Sequence, residues 1–185
     1  MERQGFVLWL TGLCGSGKTT IAQGVEQALK KRSCLVEVLD GDAIRTNLSK
    51  GLGYSREDRA TNLRRIGFVS KLLSRNGVVA IVAAISPYAD TRDEIRKDTG
   101  NLIEVYVNAP LEVCESRDVK GLYAMARAGE LLAFTGIDDP YEPPSQPDVV
   151  CYTDRETPAE SIAKVLAELE QRELIPEKPR VEFFI

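Results

Sequence analysis

Gly12-Leu13-Cys14-Gly15-Ser16-Gly17-Lys18-Thr19 satisfies the pattern G-x-x-x-x-G-K-[ST] and is followed by Thr20. Glycines at these positions let the backbone curl so that successive N–H groups point inward at a polyphosphate. A helix opening behind such a loop adds its N-terminal partial positive charge. Lys18 is expected to reach the β- and γ-phosphates, and the Thr19 hydroxyl to hold Mg²⁺. The pattern carries this chemistry only between a strand and a helix. Phe6-Val7-Leu8-Trp9-Leu10 is an apolar run of strand length. Behind the loop, Ile21, Val25, Ala28 and Leu29 recur at helical spacing. Binding of ATP or GTP is therefore expected, with Gly12 to Thr20 as the contacts.

Further groups suited to phosphoryl transfer follow other strand-like runs. Asp40-Gly41-Asp42 comes directly after Leu35–Leu39, and Arg45 lies one helical turn beyond Asp42. Ligands of open parallel sheets sit at the carboxyl ends of the strands, so both carboxylates should lie beside the loop. One would orient or deprotonate an attacking hydroxyl, and the other would hold metal-bound water. Arg45 suits an anionic substrate; capping of a helix by Asp42 is the competing use. Arg56, Arg59 and Asn62 recur every three residues, with Arg64 and Arg65 nearby. They form either a solvated basic face or an anion site. Ile85-Ser86-Pro87-Tyr88 follows a third run, where Ser86 could bond the substrate, accept phosphate, or simply end a strand. No N-K-x-D guanine signature is present.

These groups need a frame. Apolar runs at 6–10, 35–39, 78–83, 102–107 and 149–152 alternate with helical patterns. They show little polar alternation, as parallel strands covered on both faces do. Ser55 with Asp58 reads as a helix N-cap ahead of Leu63, Ile66, Val69 and Leu73. Thr157-Pro158-Ala159-Glu160 combines an N-cap, a first-turn proline and a capping-box Glu ahead of Ile162, Val165, Leu166 and Leu169. Residues 117–147 hold charges, glycines and prolines between two strands, and are expected to form a mobile lid. The expectation is one α/β domain over 1–185 with a five-stranded parallel sheet.

Composition narrows the function. The chain has 185 residues, a net charge of −4 and no histidine. The charge argues against a nucleic-acid partner. The missing imidazole excludes Ser-His-Asp chemistry and leaves proton transfer to Asp, Glu, Lys or water. No segment has the length and apolarity of a membrane span, and no signal peptide is evident. Cys14, Cys34, Cys114 and Cys151 form no C-x-x-C pair and read as reduced thiols of a cytoplasmic protein.

Taken together, GLCGSGKTT, LDGDAIR, LGYSREDRATNLRRIG, ISPY and PLEVCESRDVKGLYAMARAGELLAFTGIDDPYEPP closely resemble adenylylsulfate kinase, from the first strand to about residue 157. The resemblance implies a P-loop NTPase-type three-layer fold, usually a homodimer. It implies transfer of the γ-phosphoryl of ATP to adenosine 5′-phosphosulfate (APS), giving 3′-phosphoadenosine 5′-phosphosulfate (PAPS) and ADP. On this likeness Arg45, Arg59 and Asn62 hold the APS phosphosulfate and ribose, and Tyr54 and Phe134 sandwich its adenine. Ile85, Ser86, Lys120 and Leu122 fall in matching substrate segments. Ser86 matches a serine described in the family as a phosphoserine intermediate, although in-line transfer needs no covalent step. Arg117 and Lys120 match the lid beside ATP, and Thr153 lies near its adenine. Ala89 stands where the family often has Arg, so one positive charge is missing there. Another small-molecule or polynucleotide kinase, or a catalytically inactive nucleotide-binding regulator, are the alternatives. An inactive regulator is expected to lose Lys18 or Asp42, and both are present.

Overall fold

The computed structural model describes residues 5–176, with the side chain of Asp42 outside the described set. Five strands form an all-parallel sheet among these residues: β1 (Val7–Thr11), β2 (Val36–Asp40), β3 (Val79–Ala83), β4 (Leu102–Asn108) and β5 (Val149–Tyr152). Their spatial order is β2-β3-β1-β4-β5. β1 is bonded on both edges, with Leu8 opposite Ile81 on one side and Ile103 on the other.

Among the described residues six helices lie between the strands, α1 (Lys18–Lys31), α2 (Gly41–Asn47), α3 (Arg56–Ser74), α4 (Ala89–Thr99), α5 (Leu111–Arg117) and α6 (Leu122–Arg127), and α7 (Pro158–Gln171) follows β5. Alternation along β1 divides the core. Phe6, Leu8 and Leu10 pack with Ile21, Val25 and Leu29 of α1 and with Val165 and Leu169 of α7. Val7 and Trp9 face the opposite layer, with Leu63 and Ile66 of α3 and Ile95 of α4. Both helix starts read from the sequence are formed. The Ser55 hydroxyl accepts from the Asp58 N–H at 3.1 Å. Thr157 and Glu160 make a full capping box.

Three features differ from the sequence reading. β2 and β5 are sheet edges, so they are less fully buried than β1 and β3: Leu39, Val149 and Cys151 are buried, whereas Glu37 and Tyr152 are exposed. α4 carries few apolar residues, so its period was not visible. Residues 117–147, expected as a lid, carry structure that the sequence reading did not specify. They contain α6 and a small core in which Tyr123, Ala126 and Phe134 pack with Cys114 and with Leu13 and Cys14 of the phosphate loop. Asp118 accepts the Tyr123 and Ala124 N–H groups at 3.0 Å each, which starts α6.

A charged network staples the far side of the sheet. Arg92 and Arg96 of α4 bond Glu104 of β4 at 3.0 and 3.2 Å. Arg96 and Arg172 both reach Asp148 at 2.8 Å, and Asp148 also accepts the Glu104 N–H at 2.7 Å. Burial alone would raise the Asp148 pKa, but the backbone N–H and the two guanidinium groups outweigh it and hold the carboxyl below its ordinary value of 3.8. A depressed carboxylate stabilises the fold above its unfolded pKa and ceases to do so as pH falls through the folded one. Asp148→Asn should therefore lower the thermal midpoint at pH 7, and the gap to the parent protein should shrink below about pH 4, near the unfolded Asp value. A gap that stays constant down to pH 3 would remove the carboxylate from this role.

Candidate active site

The carboxyl ends of β1, β2 and β3 open into a cleft of about 790 Å³. On one side lies the phosphate loop. Gly12 leaves β1 so close to β4 that a Cβ there would sit 2.3 Å from the Val107 carbonyl oxygen, so only glycine fits. Gly17 caps α1 at φ 105°, a left-handed conformation that glycine adopts without strain. The Lys18 ammonium donates to the carbonyls of Gly12 at 2.9 Å and Leu13 at 2.7 Å, folding it back over its own loop.

The outside of the loop is clamped. Thr153, just past β5, donates its hydroxyl to the Ser16 carbonyl at 2.7 Å. Arg117 donates to the Gly15 carbonyl and the Thr153 hydroxyl at 3.2 Å each, and to the Thr153 carbonyl at 2.6 Å. Tyr123 of α6 donates to the Cys14 carbonyl at 2.9 Å. The lid core thus rests directly on the loop.

Across the cleft lie Arg45 on α2, Tyr54, and Arg59 and Asn62 on α3. The Arg45 guanidinium stacks on the Tyr54 ring at 4.1 Å and donates to the Gly53 carbonyl. Arg59 bonds the Tyr54 carbonyl at 2.9 Å, the Thr135 hydroxyl at 3.2 Å and the Ala133 carbonyl. One guanidinium therefore ties α3 to the lid. Asn62 is 7% exposed, and its Oδ1 has no partner among the described residues. A buried acceptor in that state awaits a donor. Tyr54 is 55% exposed, whereas Phe134 is 8% exposed and meets Tyr123 edge-on at 5.0 Å.

β3 delivers Ser86 to the floor of the cleft. Ser86 adopts φ 49°, a left-handed conformation uncommon outside glycine. Its carbonyl accepts from Arg92 at 2.6 Å. The following turn is tied to the segment before β5: Glu142 N–H donates to the Pro87 carbonyl at 2.8 Å, and Ala89 N–H to the Glu142 carboxylate at 2.7 Å. Tyr88 donates to Asp139 at 3.0 Å, and burial together with that carboxylate raises its pKa.

Cys14, Gly15, Gly17, Lys18, Thr19, Thr20, Asp40, Arg45, Tyr54, Arg59, Asn62, Ile85, Ser86, Arg117, Lys120, Leu122, Phe134 and Thr153 all line this one cleft. Gly12, Leu13 and Ser16 do not. Gly12 and Ser16 are buried under the loop, and Leu13 is spent on the lid core. Asp42 lies within α2, its side chain outside the described residues. Arg56, read with Arg59 and Asn62 as one face, instead pairs with Asp90 at 2.9 Å and stacks on Tyr88. Arg64 pairs with Glu94 at 3.0 Å, and Arg65 donates to the Leu48 carbonyl at 3.0 Å. Trp9, Arg92 and Thr135 contact site residues without having been read as such. Their partners lie 77, 6 and 76 residues away. Only the Arg92 contact is short enough in sequence to be guessed from a helix following a strand end.

Comparison with known proteins agrees with this geometry. Residues 4–152 match the family model for adenylylsulphate kinase. An adenylyl-sulfate kinase of Rippkaea orientalis is 62% identical over 171 residues, covering 92% of this chain and 94% of its own. The structure of a Mycobacterium tuberculosis APS kinase in complex with AMPPNP and APS superposes with a TM-score of 0.86 at 45% identity, covering 90% of this chain and 98% of that one. A hexameric APS kinase from Thiobacillus denitrificans superposes at 0.71 with 30% identity, covering 95% of this chain and 30% of that one. With nine-tenths of the chain accounted for by such relatives, the protein belongs to the adenylylsulphate kinase family.

Proposed function

We propose that the protein transfers the γ-phosphoryl group of ATP to the ribose 3′-hydroxyl of APS, giving PAPS and ADP. The observation that carries this reading is the cleft itself. It joins the phosphate loop to a second wall of two arginines, an exposed Tyr and a buried Asn with an unpartnered acceptor. A kinase of this class needs little covalent chemistry from the protein, only positioning and charge.

In the proposed step the 3′-oxygen bonds to the γ-phosphorus while the bridge to the β-phosphate breaks and ADP leaves. The hydroxyl proton passes to Asp42, whose assignment rests on its spacing from Arg45 and on the family likeness. Lys18 exchanges the Gly12 and Leu13 carbonyls for phosphate oxygens. Arg45, Arg59 and Asn62 hold the anionic end and ribose of APS. Tyr54 and Phe134 take its adenine. For this, Arg45 must leave the Tyr54 face it covers or the base must stack on the other face. Arg117 and Thr153 border the ATP base, and Lys120 and Leu122 close over the substrates with the lid. Ser86 positions substrate.

Thr19 and Asp40 both line the cleft and are hard oxygen donors, a set that suits Mg²⁺ shared with phosphates and water. Bound there, Mg²⁺ would supply positive charge against the phosphates during transfer. The protein is further proposed to act as one domain, as a homodimer, in the cytoplasm. Two supports for the last are four thiols without a disulfide and the absence, among the described residues, of a helix able to cross a membrane.

The direct assay is ADP release from ATP with APS, against adenosine and gluconate as controls. Release with APS alone is expected; equal release with gluconate would redirect the assignment to a sugar kinase. Lys18→Ala should abolish turnover while the thermal midpoint stays near that of the parent, and undiminished kcat would remove the loop from catalysis. Phe134→Leu keeps volume in the lid core but loses the ring. It should weaken APS by about tenfold, within the range for a lost base stack, and leave ATP nearly unchanged. Asp42→Asn should lower kcat by about 10²-fold or more, the scale of a lost general base, whereas Asp40→Asn should raise the Mg²⁺ requirement. The reverse pattern would exchange the two roles.

A further inference from the structure

Trp9 is the only tryptophan of the chain and sits in the middle of β1, 1% exposed. It packs in a layer with Val7, Leu63, Ile66, Val82 and Ile95, and the buried Glu104 stands opposite it on β4. Leucine or phenylalanine would serve such a site without the cost of burying an N–H. The indole N–H is not orphaned, however. It donates across 77 residues to the Ser86 hydroxyl oxygen at 2.9 Å. Ser86 is itself 1% exposed and lines the cleft. It is gripped at a second point, where Arg92 donates to its carbonyl at 2.6 Å while bonded to Glu104 at 3.0 Å.

An indole N–H can only donate. In this bond the serine oxygen is therefore the acceptor, and its one proton must point elsewhere. Among the described residues, which leave out the Asp42 side chain, the one side-chain partner seen on the Ser86 hydroxyl is this indole N–H. We infer that Trp9 is a positioning residue for the transfer. Its N–H fixes the Ser86 rotamer so that Ser86 offers the cleft a hydrogen-bond donor for a substrate oxygen rather than a nucleophile. The inference rests on the phosphotransfer reading above and deepens it. The left-handed backbone at Ser86 fits the same purpose, since the strand would otherwise carry the side chain on a different course. The Arg92 contact holds that backbone and the Trp9 contact holds the side chain.

The test is a double-mutant cycle on the full chain: Trp9→Phe, Ser86→Ala and the pair, with kcat and KM for APS and ATP measured separately. Trp9→Phe keeps an aromatic ring in the core and removes the N–H. It should lower kcat/KM for APS by about tenfold, the scale of one net hydrogen bond, with KM for ATP unchanged. In the Ser86→Ala background the same change should cost nothing more, because Trp9 acts through Ser86. Independent, additive losses would overturn the inference, as would a Trp9→Phe enzyme with parental kinetics. Trp9 emission gives a readout that needs neither activity nor a foldable Trp9 variant. Ser86→Ala should shift it to the blue as the indole loses its partner, and an unchanged spectrum would contradict the hydrogen bond. Absence of APS-dependent ADP release in the parent protein would sink the phosphotransfer reading alone, with the emission shift still deciding the Trp9–Ser86 contact.

Discussion

β1 is hydrogen-bonded on both edges and covered on both faces, and the active site depends on that burial. Its end cannot move relative to β3 and β4. Gly12 leaves it within touching distance of the Val107 carbonyl, where a side chain would collide. The curl of the loop, the start of α1 at Lys18 and the reach of the Lys18 ammonium all follow from that fixed exit. Thr11, the last residue of the same strand, donates to the Ile85 carbonyl at 2.7 Å and meets the Tyr141 hydroxyl at 2.9 Å. Trp9, two residues earlier, holds Ser86. A single rigid strand thus sets the phosphate loop and the β3 terminus in one frame. This serves a reaction in which misplacement by an ångström is costly.

The lid is built on the same loop. Tyr123 bonds the Cys14 carbonyl, and Leu13 and Cys14 share a small core with Cys114 and Phe134. From the other side Arg59 reaches Thr135 and Ala133. Residues 118–135 are therefore attached at both walls of the cleft, through a small apolar core and partly buried hydrogen bonds. Leu132 and Val119 project from this region into solvent. Phosphate arriving at the loop and an anion arriving at Arg59 would both alter the contacts that fix the lid.

Local signals in the sequence carried far. The glycine–lysine loop and both N-caps depend on neighbours within eight residues and stand where their spacing put them, while β1, β2 and β4 each end one residue beyond the apolar run that marked them. The five apolar runs gave the strands, although not which were edges: Glu37 shows that only the sheet order could tell. The basic face over Arg56, Arg59 and Asn62 had the right period, but Arg56 is drawn off by Asp90, a partner 34 residues away. Trp9 read as one apolar residue among five. Its N–H finds its acceptor on Ser86, in the turn that follows β3. The lid core was not legible because its apolar residues, although dense over 122–126 and 131–134, lean on Leu13 and Cys14, more than a hundred residues earlier. Such contacts have no signature within a window of sequence.

The central claim is a single direct displacement in one cleft, with Ser86 as a hydrogen-bond donor and not a carrier of phosphate. The stereochemical course at phosphorus tests it most directly. ATP made chiral at the γ-phosphorus by oxygen isotopes would be turned over with APS, and the configuration of the 3′-phosphate determined in the product. One in-line transfer predicts inversion. Retention would mean two displacements through a phosphorylated enzyme, and would contradict the account.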